Sequence, residues 1–169
     1  MQPTDRIAVT GPNGAGKSTL VCHIMRFLNV PEERVTYLPQ EIDVQTSKNI
    51  MAAVRRQSSD TLGHMMTVVS RLGSRPHRLL ESTEPSPGEI RKIVLAMGIS
   101  NATHLIVMDE PTNHLDLPSI ECLEEALSDC PCGLLLVSHD QRFLDRLTKR
   151  TWNISRSGTA GNVFVLQEL

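Results

Sequence analysis

Gly11-Pro12-Asn13-Gly14-Ala15-Gly16-Lys17-Ser18-Thr19 is the stretch on which the fold turns, because it satisfies the pattern G-x-x-x-x-G-K-[ST]. A strand candidate, Arg6 to Thr10, precedes it, and a helical stretch follows with an apolar stripe of Leu20, Val21, Ile24, Phe27 and Leu28. Strand, glycine loop, helix is the context the pattern requires. The glycines let the backbone curl until successive N–H groups point at phosphate oxygens. The helix start adds its own N–H groups and the positive end of its dipole. In such a loop Lys17 reaches the β and γ phosphates of a nucleotide, and the Ser18 hydroxyl can ligate Mg²⁺.

A second stretch, His104 to Asp116 (HLIVMDEPTNHLD), supplies the acids such a site needs. Leu105 to Met108 form a short apolar run, suited to a strand buried on both faces of a parallel sheet. The run ends in Asp109 and Glu110. Two carboxylates there are costly in a core and natural at the C-terminal edge of a sheet, where ligands bind. Asp109 is expected to hold Mg²⁺ from the strand next to the glycine loop's own. Glu110 beside it is the expected catalytic base, able to orient and polarise the water that attacks the γ phosphate.

The 169 residues argue for one domain, 1–169. Composition is that of an ordinary globular chain, 40% hydrophobic and 21% charged, with no tract biased toward disorder. No apolar run approaches membrane-spanning length, and the first residues do not read as a signal peptide, so a cytoplasmic protein that does not itself enter the membrane is expected. The net charge of −2 does not advertise nucleic-acid binding as a bulk property. Cys22, Cys122, Cys130 and Cys132 lack zinc spacing, and Cys130-Pro131-Cys132 is not a redox C-x-x-C. Reduced structural thiols are the expectation.

Strand candidates at Arg6 to Thr10, Val35 to Leu38, Leu105 to Met108 and Leu134 to Ser138 alternate with helical stretches. That alternation predicts an α/β fold built on a mostly parallel, doubly wound sheet. Residues 41–87 carry only helical signals, Asn49 to Arg56 and Asp60 to Leu72, with breaks at Gly73-Ser74 and Ser82 to Pro87. They read as a helical insertion on one edge of the core. Thr151 to Ile154 and Val163 to Leu166, around Ser157-Gly158, predict a terminal hairpin.

Ser86 and Glu89 have capping-box spacing, Pro87 fits the first helical position, and Ile90, Ile93, Val94 and Met97 follow at helical intervals. Gly88 leaves that helix start open to another molecule. Of two basic clusters, Arg142, Arg146, Lys149 and Arg150 stand near a helix end that favours cations. Arg71, Arg75, His77 and Arg78 read as a solvated face with some capacity to touch RNA. His23, His64, His77, His104 and His114 need no chemical role.

Taken together these stretches resemble the ATP-binding cassette (ABC) ATPases, a family of P-loop NTPases, from Arg6 to about Arg150. In that likeness Gly11 to Thr19 is the Walker A loop and Gln40, in Tyr37-Leu38-Pro39-Gln40, the Q-loop glutamine. Pro85 to Glu89 is the signature motif, Asp109-Glu110 the Walker B pair, Asn113 to Asp116 the D-loop, and His139 the switch histidine. The resemblance implies ATP and Mg²⁺ as ligands, with Ser18, Gln40 and Asp109 around the metal, and Glu110, His139 and Gln40 in catalysis. It implies that Ser86 and Gly88 act on a nucleotide held by a second cassette, docked head to tail only while ATP is bound. The wording of Asp109 to Asp116 is similar to the F subfamily, whose members are soluble, carry two cassettes and mostly act on ribosomes, some protecting them from antibiotics.

The chain departs from the family in two places. Only ten residues precede Gly11 and no aromatic precedes Phe27, so a truncated cassette lacking its N-terminal antiparallel strands is expected. Loss of base stacking should then weaken ATP binding by about 1–3 kcal/mol. Pro85 stands where the family usually has leucine. Two alternatives compete with a ribosome-acting cassette: the ATPase subunit of a transporter, and a truncated nucleotide-binding module without turnover.

Overall fold

Residues 2, 4–82, 85–113, 115–156 and 164–168 are described by the structure, a computed structural model. Six strands form one sheet: β1 (Arg6–Thr10), β2 (Val35–Leu38), β3 (Leu105–Asp109), β4 (Gly133–Val137), β5 (Arg150–Arg156) and β6 (Phe164–Glu168). Their order across the sheet is β2-β3-β4-β1-β5-β6, parallel throughout except for the antiparallel β5–β6 pair. The helices are α1 (Lys17–Phe27), α2 (Val44–Arg55), α3 (Ser59–Arg71), α4 (Pro76–Glu81), α5 (Pro87–Ser100), α6 (Leu117–Asp129) and α7 (Gln141–Leu147). This is the α/β, doubly wound P-loop architecture that the sequence predicts.

Period-two alternation explains how the central strands are buried on both faces. Ala8, Ile106, Met108, Leu134 and Leu136 point into one cluster, beside Leu95 of α5, Leu123 and Leu127 of α6, and Phe143 and Leu147 of α7. Ile7, Val9, Leu105, Val107, Leu135 and Val137 point into the other, beside Val21 of α1. All five residues of β3 are buried, as are all five of β4. At about 1.5–3 kcal/mol for each large side chain removed from water, these two strands anchor the molecule.

Helices α2 to α4 build a third cluster with α5: Met51, Val54, Met65, Val69 and Leu79 meet Ile90, Ile93 and Ala96. Helix α5 is therefore shared, packing on the sheet with one side and on the helical segment with the other. It comes close to β2, because Gly98 lies against Thr36. A Cβ at Gly98 would stand 2.8 Å from the Thr36 Cβ. Among the described residues no helix is long and apolar enough to cross a membrane.

Three expectations change. Phe27 does not join the apolar face of α1 but is 74% exposed, its ring tilted against His23 at 4.7 Å between centroids. Cys130 and Cys132 are joined by a disulfide and not reduced; the extended backbone after α6 brings their Cα atoms to 5.4 Å, within bridging reach. The tail strands, Arg150–Arg156 and Phe164–Glu168, are paired, but β5 also joins β1 in parallel and so extends the main sheet. The hairpin turn expected at Ser157-Gly158 lies outside the described residues, as does His114 of the expected D-loop.

Candidate functional site

The C-terminal ends of four adjacent parallel strands carry the candidate residues. Across the sheet they run from Gln40 after β2, through Asp109-Glu110 at the end of β3 and His139 after β4, to Gly11 after β1. The register fixes their level: Leu38 pairs with Met108, Asp109 with Val137, and Val9 with Val137. Asp109 is thus not on the strand next to β1, as the sequence suggested. Strand β4 stands between them, because β1 pairs with β4 and β5. The consequence is useful, since His139 is inserted between the acids and the glycine loop.

That loop is held open by backbone conformations only glycine adopts readily. Gly11, Gly14 and Gly16 have φ of 145°, 76° and 88°. At Gly11 no side chain fits at all, since a Cβ would lie 2.5 Å from the Ile154 carbonyl oxygen. Pro12 and Asn13 form the exposed tip of the loop, and Ala15 is buried, its N–H bonding the Pro12 carbonyl at 3.2 Å. Gly16 precedes α1 in a left-handed conformation, and no side chain caps that helix. Its first-turn N–H groups are thereby offered to an anion. Lys17 is buried, and its ammonium donates to the carbonyls of Gly11 at 3.0 Å and Pro12 at 3.2 Å, which folds it back over the loop. Ser18 and Thr19 are exposed beside it.

Asp109 and Glu110 are buried, at 4% and 7% exposure. Glu110 adopts φ 50°, a left-handed conformation that a glutamate enters only at a cost. Two contacts hold it there. Its N–H donates to the Val137 carbonyl at 2.8 Å, and its carboxylate accepts from the His139 N–H at 3.3 Å. Its other oxygen lies 3.4 Å from His139 Nε2. Glu110 and His139, read separately from the sequence, are one unit in space. Ser138 and Thr112 buttress it, with their hydroxyls 3.4 Å apart and Ser138 accepting from the Asp140 N–H at 3.1 Å. Burial, with Cys22 and Asp109 adding to it, pushes the Tyr37 phenol on β2 up to about 12, so it stays neutral near the acids.

Gln40 is exposed; its carbonyl accepts from Arg91 of α5. Ser86 and Glu89 form the full capping box. The Glu89 N–H donates to Ser86 Oγ at 3.3 Å, and the Ser86 N–H to Glu89 Oε2 at 2.8 Å. Gly88 faces a small, mostly apolar cavity between Pro39, Arg91, Met108, Asp109 and Leu115. Asp116 caps α6 by accepting from the Ser119 N–H at 3.1 Å, and the Ser119 hydroxyl first, then that N–H, hold its carboxyl below the usual range. Among the described residues no group of three or more His, Cys, Asp and Glu side chains could hold a metal unaided. One buried carboxylate, a hydroxyl and an amide beside an anion cradle fit a cation that arrives with a phosphate. Sequence reasoning missed Arg91, Thr112 and Ser138; their role depends on which loops meet across the sheet, for which no local pattern exists.

The family model described as ABC transporter matches residues 1–113. The chain is 35% identical over 170 residues to the ribosome protection protein VmlR of Bacillus subtilis, covering 94% of this chain and 30% of that protein. It is 34% identical over 175 residues to the ATP-binding protein Uup of Caulobacter vibrioides, covering 94% and 28%. With protein GCN20 of Saccharomyces cerevisiae it shares 32% over 177 residues, covering 94% and 23%. The chain thus spans less than a third of the length of these relatives, and they agree with the F-subfamily resemblance. Among solved structures, the ATP-binding subunit of an ABC transporter superposes with a TM-score of 0.69 at 19% identity, over 89% of this chain and 74% of that one.

Proposed function

This chain belongs to the ABC transporter family, and from that premise we propose that it binds ATP with Mg²⁺ and hydrolyses it, as one cassette of a protein that acts on the ribosome. The observation that carries the reading is Glu110. It is a buried, conformationally strained carboxylate, linked to His139, with the single strand β4 between it and a glycine loop shaped for phosphates. Gly11 to Thr19 hold the phosphate chain through backbone N–H groups, with Lys17 turning from the Gly11 and Pro12 carbonyls to the β and γ oxygens. When bound, Mg²⁺ offsets the charge on those oxygens; Ser18, Gln40 and Asp109 would hold it. Glu110 orients the attacking water and takes up its proton, and His139 keeps the carboxylate aimed and contacts the γ phosphate.

In this reading residues 1–169 form a single cassette with 41–87 as its helical insertion. Ser86 and Gly88 face the nucleotide of a second cassette, so association follows the ATP state. Ribosome action, in the cytoplasm, draws on the similarity to a ribosome protection protein and on the wording of Asp109 to Asp116. Phosphate release tests the chemistry: the chain should release phosphate from ATP only with Mg²⁺, and Lys17→Ala should abolish this. Release that survives Lys17→Ala would sink the hydrolase reading. For the partner, Glu110→Gln in the full-length parent should carry it with ribosomes when an extract is sedimented with ATP. Recovery with membranes would favour a transporter subunit instead.

A further inference from the structure

Arg91 touches neither the glycine loop nor the Glu110 carboxylate, yet it holds the main chain on both sides of the acid pair. One guanidinium, on the second turn of α5, donates to three carbonyls from two loops. Its Nη2 bonds the Gln40 carbonyl, and its Nη1 lies 3.5 Å from the Glu110 carbonyl and 3.4 Å from that of Asn113. These carbonyls belong to the loop after β2 and the turn after β3. The forked, planar donor set of arginine suits it to span two loops at once, which lysine cannot do. The site is partly desolvated: burial lowers the guanidinium's affinity for its proton, and the charges of Asp109 and Glu41 offset that. A cation is thus kept beside the buried Asp109 carboxylate.

The helix that carries Arg91 begins with Ser86 and Gly88. From the capping box to Arg91 is a single turn and a half of rigid helix. Any shift of the α5 start is therefore passed, through one side chain, to the backbone of Gln40, Glu110 and Asn113.

We propose that Arg91 is a positioning residue that locks the Gln40 loop and the Glu110 turn to α5, setting the aim of both side chains and coupling them to whatever meets the α5 N-terminus. The inference rests on the hydrolase reading for its consequence in turnover, but not for the lock itself, and the test separates the two. Hydrogen exchange on the nucleotide-free chain reads the lock directly. In Arg91→Ala, amides of residues 40–42 and 110–113 should exchange roughly 10-fold faster or more, while β3 and β4 amides keep their protection. Arg91→Lys, with one point donor, should loosen one loop and spare the other. In turnover, kcat should fall roughly 10- to 100-fold in Arg91→Ala, with the affinity for Mg²⁺·ATP changed less than about threefold. Arg91→Lys should recover part of kcat. Unchanged exchange in both loops, or an equal loss of affinity and kcat, overturns the proposal. A wild-type chain without turnover sinks the hydrolase reading alone, and the exchange result then decides for or against the lock.

Discussion

In the proposed hydrolysis Glu110 carries the chemistry, at a residue whose backbone works against it. Its φ of 50° costs a non-glycine residue about 1–2 kcal/mol, offset here by the bonds to Val137 and His139. Strain at such a point aims the carboxylate where neither strand nor helix geometry would. Substitutions should sort by backbone preference and not by size. Glu110→Gly should leave the urea-unfolding free energy within about 1 kcal/mol of wild type, because the relief of strain balances the lost contacts and the entropy of glycine. Glu110→Val, β-branched at positive φ, should cost about 2 kcal/mol or more. Equal losses in the two variants would show that the strain is not borne by the backbone.

Among the elements, α5 carries the most, lying between sheet and helical segment and supplying both Arg91 and the capped N-terminus. Its close approach to β2 rests on Gly98. An added Cβ there would meet Thr36 Oγ1 at 2.0 Å and Thr36 Cβ at 2.8 Å. Gly98→Ala should therefore destabilise by about 1–3 kcal/mol, and the penalty should shrink in a Thr36→Ala background, as measured by a double-mutant cycle. Additive penalties would place the cause elsewhere. Local elements were largely legible in the sequence: β1 and β2 have the predicted bounds, and the capping box starts α5 as its spacing requires. Helix α4 was not, because Gly73-Ser74 reads as a break and Pro76 hides that it occupies the first helical turn. The Cys130–Cys132 bond was missed because spacing alone says nothing of backbone direction.

Over the whole molecule, sheet order was what sequence could not supply. Apolar runs mark strands but not their neighbours, so β4's place between β3 and β1, and with it the Glu110–His139 pairing, emerges only in three dimensions. The outer strands are tied in by charge. Arg150 on β5 pairs with Asp5 at 2.7 Å and Glu168 at 2.5 Å. The Glu168 carboxyl is held below its usual range chiefly by the Arg150 bond, and that of Asp5 chiefly by the Gln2 N–H, with Arg150 adding. Carboxyls lowered in the folded chain bind protons less readily than in the unfolded one. Their stabilisation is complete above the ordinary values of 3.8 and 4.5 and fades as pH falls through the lowered ones. Unfolding midpoints should therefore drop below about pH 4, and Arg150→Ala should flatten that drop; an unchanged acid limb would mean that Arg150 does not stabilise the fold through these carboxyls.

Measuring Mg²⁺·ATP affinity and phosphate release together in Glu110→Gln separates chemistry at Glu110 from binding at the glycine loop. Affinity should stay within about twofold of wild type while release slows roughly 10²- to 10⁴-fold, the range for loss of a general base. Release at the wild-type rate, or affinity lost in step with release, would mean that Glu110 is not the catalytic base.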